Sequence, residues 1–292
     1  MKIIRKIVRL ILPASIRSKI NTTRHRLKKY IRDEVCAMLR RLNLLPFSKF
    51  SRLKKYQNIH KGERCFIVAT GPSLTIHDIE KLKNEITFSM NSIPLLFEKT
   101  TWRPTYYAMA DFGVYKTLSK DERFDLSEIN NVFLSPSIDD IIKLAEDKPK
   151  YVYDIYPYND YKASIVRVED ERKYIASPYK IRFSNDIYAS IYGFNIAYIV
   201  LQIAVYMGFT EIYLLGCDCS YEVGKKLHAV DYEVESSKID QLRIAASIDN
   251  IILAFQSAKE YADAHGIKIY NATRGGNLEV FERVDLDDIL EE

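Results

Sequence analysis

The chain has 292 residues, of which 47% are hydrophobic and 12% aromatic, with 21 tyrosines. That is ample for one large or two small packed domains and excludes a disordered or fibrous protein. The net charge of +4 hides a division: residues 1–61 carry 18 Lys/Arg against Asp33 and Glu34, a balance of +16, while the remainder carries 25 basic and 37 acidic residues, a balance of −12.

The chain opens on MKIIRKIVRLIL, with Ile3, Ile4, Ile7, Val8 and Ile11 on one helical face and Lys2, Arg5, Lys6 and Arg9 on the other. This is the pattern of an interfacial helix lying on an anionic leaflet. Charges interrupt the run far short of the ~20 apolar residues a membrane span needs. An unbroken apolar stretch with a small-residue cleavage site, the mark of a signal peptide, is absent. Past Pro13 a second basic helical pattern passes through Leu27, Tyr30, Ile31, Val35, Met38, Leu39 and Leu42 to Pro46. Residues 1–42 are therefore expected either to hold the chain on an anionic membrane surface or to pack as a basic helix on the body or a partner subunit. Homo-oligomerisation stays open. A nucleic-acid partner is not expected, because the segment has no recognised motif and the body is acidic. The charge step sets an expected boundary between an extension, 1–61, and a body, 62–292.

In the body, short apolar runs alternate with helical stretches. The expected strands are Cys65–Ala69, Ile86–Met90, Tyr106–Ala110, Val132–Leu134, Tyr151–Tyr153, Glu211–Leu215 and Ile267–Tyr270, with helices over Thr75–Lys83, Ile138–Ala145, Ala189–Met207 and Ser237–His265. Such alternation predicts an α/β fold with a Rossmann-like, mostly parallel sheet covered on both faces. Ligands of these sheets bind beyond the carboxyl ends of the strands. That places Thr70–Ser73, Asn91-Ser92, Asp111, Gly216–Ser220 and Asn271–Thr273 around one expected cleft, with Ser, Thr, Asn, Asp and Gly suited to hydrogen bonding a nucleotide.

Within Thr70-Gly71-Pro72-Ser73, Gly71 permits close backbone approach and Pro72 fixes φ. Thr75-Ile-His-Asp78 fits a capping box, so the helix start beyond it is a candidate anion site. A plain strand-to-helix turn is the competing reading. No Gly-Lys-Ser/Thr follows, so this is not a Walker A loop. After the last strand, Arg274 can pair with a phosphate or carboxylate, or the Arg274-Gly-Gly276 turn serves only to pack Leu278, Val280 and Phe281. The four cysteines, Cys36, Cys65, Cys217 and Cys219, contain no CxxC pair and fit a reducing cytoplasm. No metal site is expected: Asp285-Leu-Asp287, the one Asp-x-Asp spacing, reads as a solvated helix start.

ATGPSL after the first strand, MN ending the second, GFTEIYLLGCDCSY and GIKIYNATRGGNLEVFERVDL together give a resemblance. Over roughly Gly62–Leu286 the chain resembles the 6-hydroxymethylpterin diphosphokinase-like proteins of bacteria and archaea. Their domain also occurs in flagellin-modifying motility accessory factors and is similar in fold to bacterial lipooligosaccharide sialyltransferases. The resemblance implies a GT-A-like sialyltransferase variant of the fold and a CMP-linked donor held by Thr70, Gly71, Pro72, Ser73 and Asn91. Thr70 replaces the polar Gly-Asn character of those enzymes. Gly216-Cys-Asp218 resembles their Gly-Ile-Asp segment. They use a downstream His as general base with tyrosines near the donor phosphate; His228, flanked by Tyr221 and Tyr232, is the histidine of the matching interval. An imidazole suits deprotonation of a sugar hydroxyl.

The expected function is a membrane-associated glycosyltransferase on the cytoplasmic face of the cell membrane. It would use a nucleotide-sugar donor and a glycan or lipid-linked acceptor in surface polysaccharide or glycolipid assembly, without a cofactor. The rivals are an ATP-dependent 6-hydroxymethylpterin diphosphokinase, which would need Mg²⁺ and carboxylates such as Asp111 and Asp218, and a non-catalytic scaffold.

Overall fold

The structure, a computed structural model, describes residues 31–145, 149–159, 182–193, 195–220, 228–230 and 248–291. Two compact units divide between Ser48 and Lys49. The boundary thus lies upstream of the charge step at residue 61. Residues 49–61 belong with the body because Leu53 and Tyr56, on the 3-10 turn Ser51–Tyr56, are buried in its core.

In the body, eight strands form one sheet: β1 (Arg64–Val68), β2 (Thr87–Met90), β3 (Tyr106–Met109), β4 (Val132–Leu134), β5 (Tyr153–Ile155), β8 (Glu211–Leu215), β9 (Lys268–Asn271) and β10 (Glu282–Arg283). Their order is β10-β9-β8-β1-β2-β3-β4-β5, and every pair is parallel. β6 (Tyr158–Asn159) and β7 (Ile191–Tyr192) pair separately. Burial on both faces explains the near-continuous apolar strand sequences. In β1, Cys65 and Ile67 enter one core while Phe66 and Val68 enter the other, and in β8 Ile212 and Leu214 divide likewise from Tyr213 and Leu215. That alternation is the two-residue period of a strand.

The chain builds β1 to β5 outward in one direction and then returns to lay β8 against the other side of β1. The order therefore reverses between β1 and β8, and a ligand crevice belongs at that point. The helix Ile196–Met207 is buried along almost its whole length and ends at Gly208 in the left-handed region (φ 96°). It starts later than the apolar run predicts. Ile191–Tyr192 is extended instead, because Gln202 draws it in: Gln202 Oε1 accepts from Tyr192 N (3.0 Å) and Ser184 N (3.2 Å), and Nε2 donates to Tyr192 O (2.6 Å). The last long helix is Ile248–His265; its expected beginning at Ser237 lies outside the described residues. No described helix is long and apolar enough to cross a membrane.

Candidate functional site

A pocket opens where the strand order reverses. Ala69, Thr70, Gly71 and Pro72 line it from the end of β1, Met90 and Asn91 from β2, and Gly216–Ser220 from β8; Asn195–Ala197, His228 and Phe255 complete it. The two central loops are zipped together by the main chain. Ala69 N donates to Leu215 O (2.8 Å) and Gly71 N to Gly216 O (3.0 Å). Gly216 has φ 67°, and a Cβ there would lie 2.7 Å from Ala69 O, so this crossing needs glycine.

Asp218 is the buried charge of the site. Its Oδ2 accepts from Ser73 Oγ (2.9 Å) and Ser73 N (3.4 Å). Ser73 thus acts through Asp218 and does not line the pocket itself. Burial pushes the Asp218 carboxyl up, and the Ser73 hydrogen bonds oppose this. The main chain of Asp218 is fixed from the C-terminal side: Asn277 N donates to Asp218 O (2.7 Å), and a Cβ on Gly276 would sit 2.5 Å from that oxygen. The turn responsible is itself braced by Arg283, which donates to Thr273 O (2.9 Å), Gly275 O (2.8 Å) and Gly276 O (3.2 Å).

A raised carboxyl pKa means that the folded state holds its proton more readily than the unfolded chain. The cost appears as pH rises from the unfolded value, about 3.9, through the folded one. Asp218→Asn keeps an oxygen to accept from Ser73 and removes that cost. We expect it to melt above wild type near neutrality and level with it below the unfolded carboxyl value, in thermal melts from about pH 3 to about pH 8. A difference independent of pH would exclude Asp218 as the cause.

His228 faces the same pocket. Its segment is pinned to the β1 loop by Ala229 N donating to Thr70 O (2.9 Å), and burial lowers its pKa below the ordinary histidine value. Burial thus favours the neutral form of the ring. Tyr221 and Tyr232 lie outside the described residues. Asn91 adopts φ 48°, and its carbonyl accepts from Tyr107 OH (2.7 Å).

The remaining candidates have local duties. Asp111 Oδ1 accepts from Gly113 N (2.7 Å) and Val114 N (3.0 Å), capping the helix Phe112–Leu118. Thr273 Oγ1 accepts from Cys217 N (3.0 Å), while Asn271 bonds Leu278 O (2.7 Å) and Thr273 N (3.0 Å). Both support the β8 loop from behind the pocket. Arg274 pairs with buried Asp78, which also closes the capping box with Thr75. Burial would raise the Asp78 carboxyl, but hydrogen bonds from Arg274 and Thr75 hold it below the usual range. The helix start read as an anion site is thus filled by the chain's own carboxylate. Among the described residues, no three of His, Cys, Asp and Glu come together as metal ligands.

The helix terminus that does open on the pocket is that of Ile196–Met207. Asn195 caps it, accepting from Tyr198 N (2.8 Å), and Ile196 and Ala197 line the pocket. The first amides of a helix have no intrahelical acceptor and carry the positive end of its dipole. The signal in the sequence was Asn195 directly before an apolar run interrupted at Gln202; extending that run back to Ala189 concealed it. Cys217 and Cys219 also line the pocket, and burial pushes both thiols up, Cys219 to about 12. They are walls, not nucleophiles.

A family model described as "6-hydroxymethylpterin diphosphokinase MptE-like" matches residues 38–224, more than half of the chain. No curated protein matches. Among solved structures, the chain is similar to a MAf glycosyltransferase from Magnetospirillum magneticum AMB-1, with 18% identity and a TM-score of 0.45 over 82% of this chain. The chain spans 38% of that protein's length. It is also similar to the sialyltransferase CstII from Campylobacter jejuni in complex with CMP-3FNeuAc, with 18% identity and a TM-score of 0.41 over 76% of this chain and 85% of the other. The same enzyme with cytidine-5'-monophosphate matches at 19% and 0.42, over 76% and 84%.

Proposed function

We propose that this chain, which belongs to the 6-hydroxymethylpterin diphosphokinase MptE-like family, is a glycosyltransferase that takes a nucleotide-activated sugar. A CMP-linked acidic sugar is the first candidate donor. The observation that carries the reading is the pocket at the β1/β8 reversal, where a buried carboxylate, an imidazole and a helix start line one space. Thr70, Asn91 and Asp218 offer hydrogen bonds to the nucleoside. The amides at Ile196 and Ala197 meet the phosphate, whose negative charge grows as the glycosidic bond to it breaks. His228 takes the proton from the acceptor hydroxyl.

The family's description favours a second reading, ATP-dependent diphosphoryl transfer. That chemistry is mostly charge stabilisation by cations. Among the described residues the pocket lining contains neither Lys nor Arg, Asp111 caps its own helix through Oδ1, and Asp218 is the carboxylate of the lining that could hold Mg²⁺. A monophosphate leaving group asks less of such a site. The basic extension completes the first reading: it would hold the enzyme on the cytoplasmic face of the membrane, beside a lipid-linked acceptor for polysaccharide or glycolipid assembly.

Thermal shifts with CMP, UDP, GDP and ATP, each with and without Mg²⁺, test the choice. A ligand at 100 times its Kd stabilises by about 2.7 kcal/mol. We expect CMP to raise the melting temperature whether or not Mg²⁺ is present. A shift from ATP alone, and only with Mg²⁺, would replace this reading with the second.

A further inference from the structure

His228 reaches the pocket on a short clip, residues 228–230, laid over the loop that follows β1. The buried apolar walls of the pocket, Ala69, Met90, Ala197, Cys217, Cys219 and Phe255, all belong to one of the two cores, and His228 stands on their side. Val230 is buried in the other core, which contains Phe66, Val68 and Leu74, with Ala229 packed partly against it. Between the two, Ala229 N donates to Thr70 O (2.9 Å). The clip therefore passes from one side of the sheet to the other at the carboxyl end of β1.

A single main-chain hydrogen bond fixes one point of the clip and leaves it free to pivot there. A side chain sunk in a close-packed core supplies a second fixed point, because few other positions are open to it. Two residues span at most about 7 Å, so a shift at Val230 reaches His228 with little chain to absorb it. The chemistry is sensitive to such shifts: a group displaced by about 1 Å can cost about 10²-fold in rate.

We propose that Val230 is a positioning residue for His228, and that its burial in the far core, with the Ala229–Thr70 hydrogen bond, sets the imidazole over the pocket. The proposal rests on the reading of His228 as general base and adds what holds it in place. It also ties the base to the donor, since Thr70 belongs to the loop assigned to the nucleotide. Cys217, Asp218 and Cys219 are the other titratable groups of the described lining, and none of them is on the clip. Loosening the clip leaves them where they are and changes how far the ring is buried. Burial lowers the His228 pKa, so a loosened ring should titrate nearer the ordinary value, about 6.5.

The test compares Val230→Ser and Val230→Ile with wild type. The ring titration of His228 is followed by NMR and assigned with His228→Ala, CMP affinity is measured by calorimetry, and turnover is measured with a CMP-linked acidic-sugar donor. Val230→Ser should raise the ring pKa toward about 6.5 and lower turnover about 10- to 100-fold, with CMP affinity unchanged. Val230→Ile, which keeps an apolar side chain in the core, should stay close to wild type in all three. A ring that titrates as in wild type in Val230→Ser overturns the proposal, whatever happens to turnover, and leaves the base reading standing. A loss of CMP affinity that matches the loss of turnover makes Val230 a support of the whole β1 loop and also overturns it. Near-wild-type turnover by His228→Ala overturns the proposal and the base reading together, as does a wild type that neither binds CMP nor turns over such a donor.

Discussion

Gly71→Val is expected to cost about 3 kcal/mol or more of stability and to abolish nucleotide binding, with Gly71→Ala intermediate in stability. The reason differs from the close ligand approach that the sequence suggests. A Cβ on Gly71 would run into Asp218 Oδ2 and would lie 2.5 Å from Gly216 O. The carboxylate can swing aside, but the carbonyl cannot. It accepts from Gly71 N itself, and the loops behind it are held by Ala69 N to Leu215 O. Gly71 is therefore required by the chain's approach to its own backbone. The binding loss follows because the displaced elements carry Thr70 and Asp218. Urea titration should show a lower midpoint with an unchanged slope. Asp218→Ala in the same chain should recover only part of the loss, since it removes one of the two obstructions. A wild-type midpoint for Gly71→Ala would show that the β1 and β8 ends are not zipped in this way.

The sheet was legible because its strands are buried on both faces and punctuated by helices. Val132–Leu134 and Glu211–Leu215 fall where the apolar runs place them, and β1, β2, β3 and β9 differ only at their ends, whereas β5 begins at Tyr153, where the expected strand Tyr151–Tyr153 ends, and the two-residue β10 was not expected. Errors arose where long-range hydrogen bonds override local pattern. Asn195 marks where the helix starts, but the extended form of Ile191–Tyr192 before it depends on Gln202, ten residues on. The same limit applied to the site. Thr70, Gly71, Asn91, Gly216, Asp218 and His228 could be named from strand ends and motif blocks. The duties of Arg274 and Asn271 could not, because each depends on a partner that only folding supplies: Asp78 for one and Leu278 for the other. Arg283 escaped notice because its function is to hold three carbonyls of a turn, and main-chain acceptors leave no trace in a sequence.

His228→Ala is expected to lower turnover by about 10²–10⁴-fold, the range for losing a general base. Donor affinity should hardly change, because in the proposed reaction the imidazole acts on the acceptor hydroxyl while Thr70, Asn91 and Asp218 are assigned to the nucleotide. Burial depresses the His228 pKa, so the acid limb of kcat should fall below the ordinary histidine value, about 6.5, and should vanish in the alanine variant. Stability supplies a second reading of the same group. A histidine with a lowered folded pKa binds protons more readily when unfolded, so the wild type loses stability as pH falls from about 6.5 toward the folded value. Alanine removes that loss, and the variant should tolerate mild acid better than wild type. Chelators should not affect transfer. A diphosphokinase would respond in the opposite way: EDTA would stop it, and His228→Ala would leave turnover nearly intact. Near-wild-type sugar transfer by the alanine variant, with its acid limb unmoved, would remove His228 from the mechanism and shift the search for the base to Asp218, the carboxylate among the described lining residues, whose pKa burial raises.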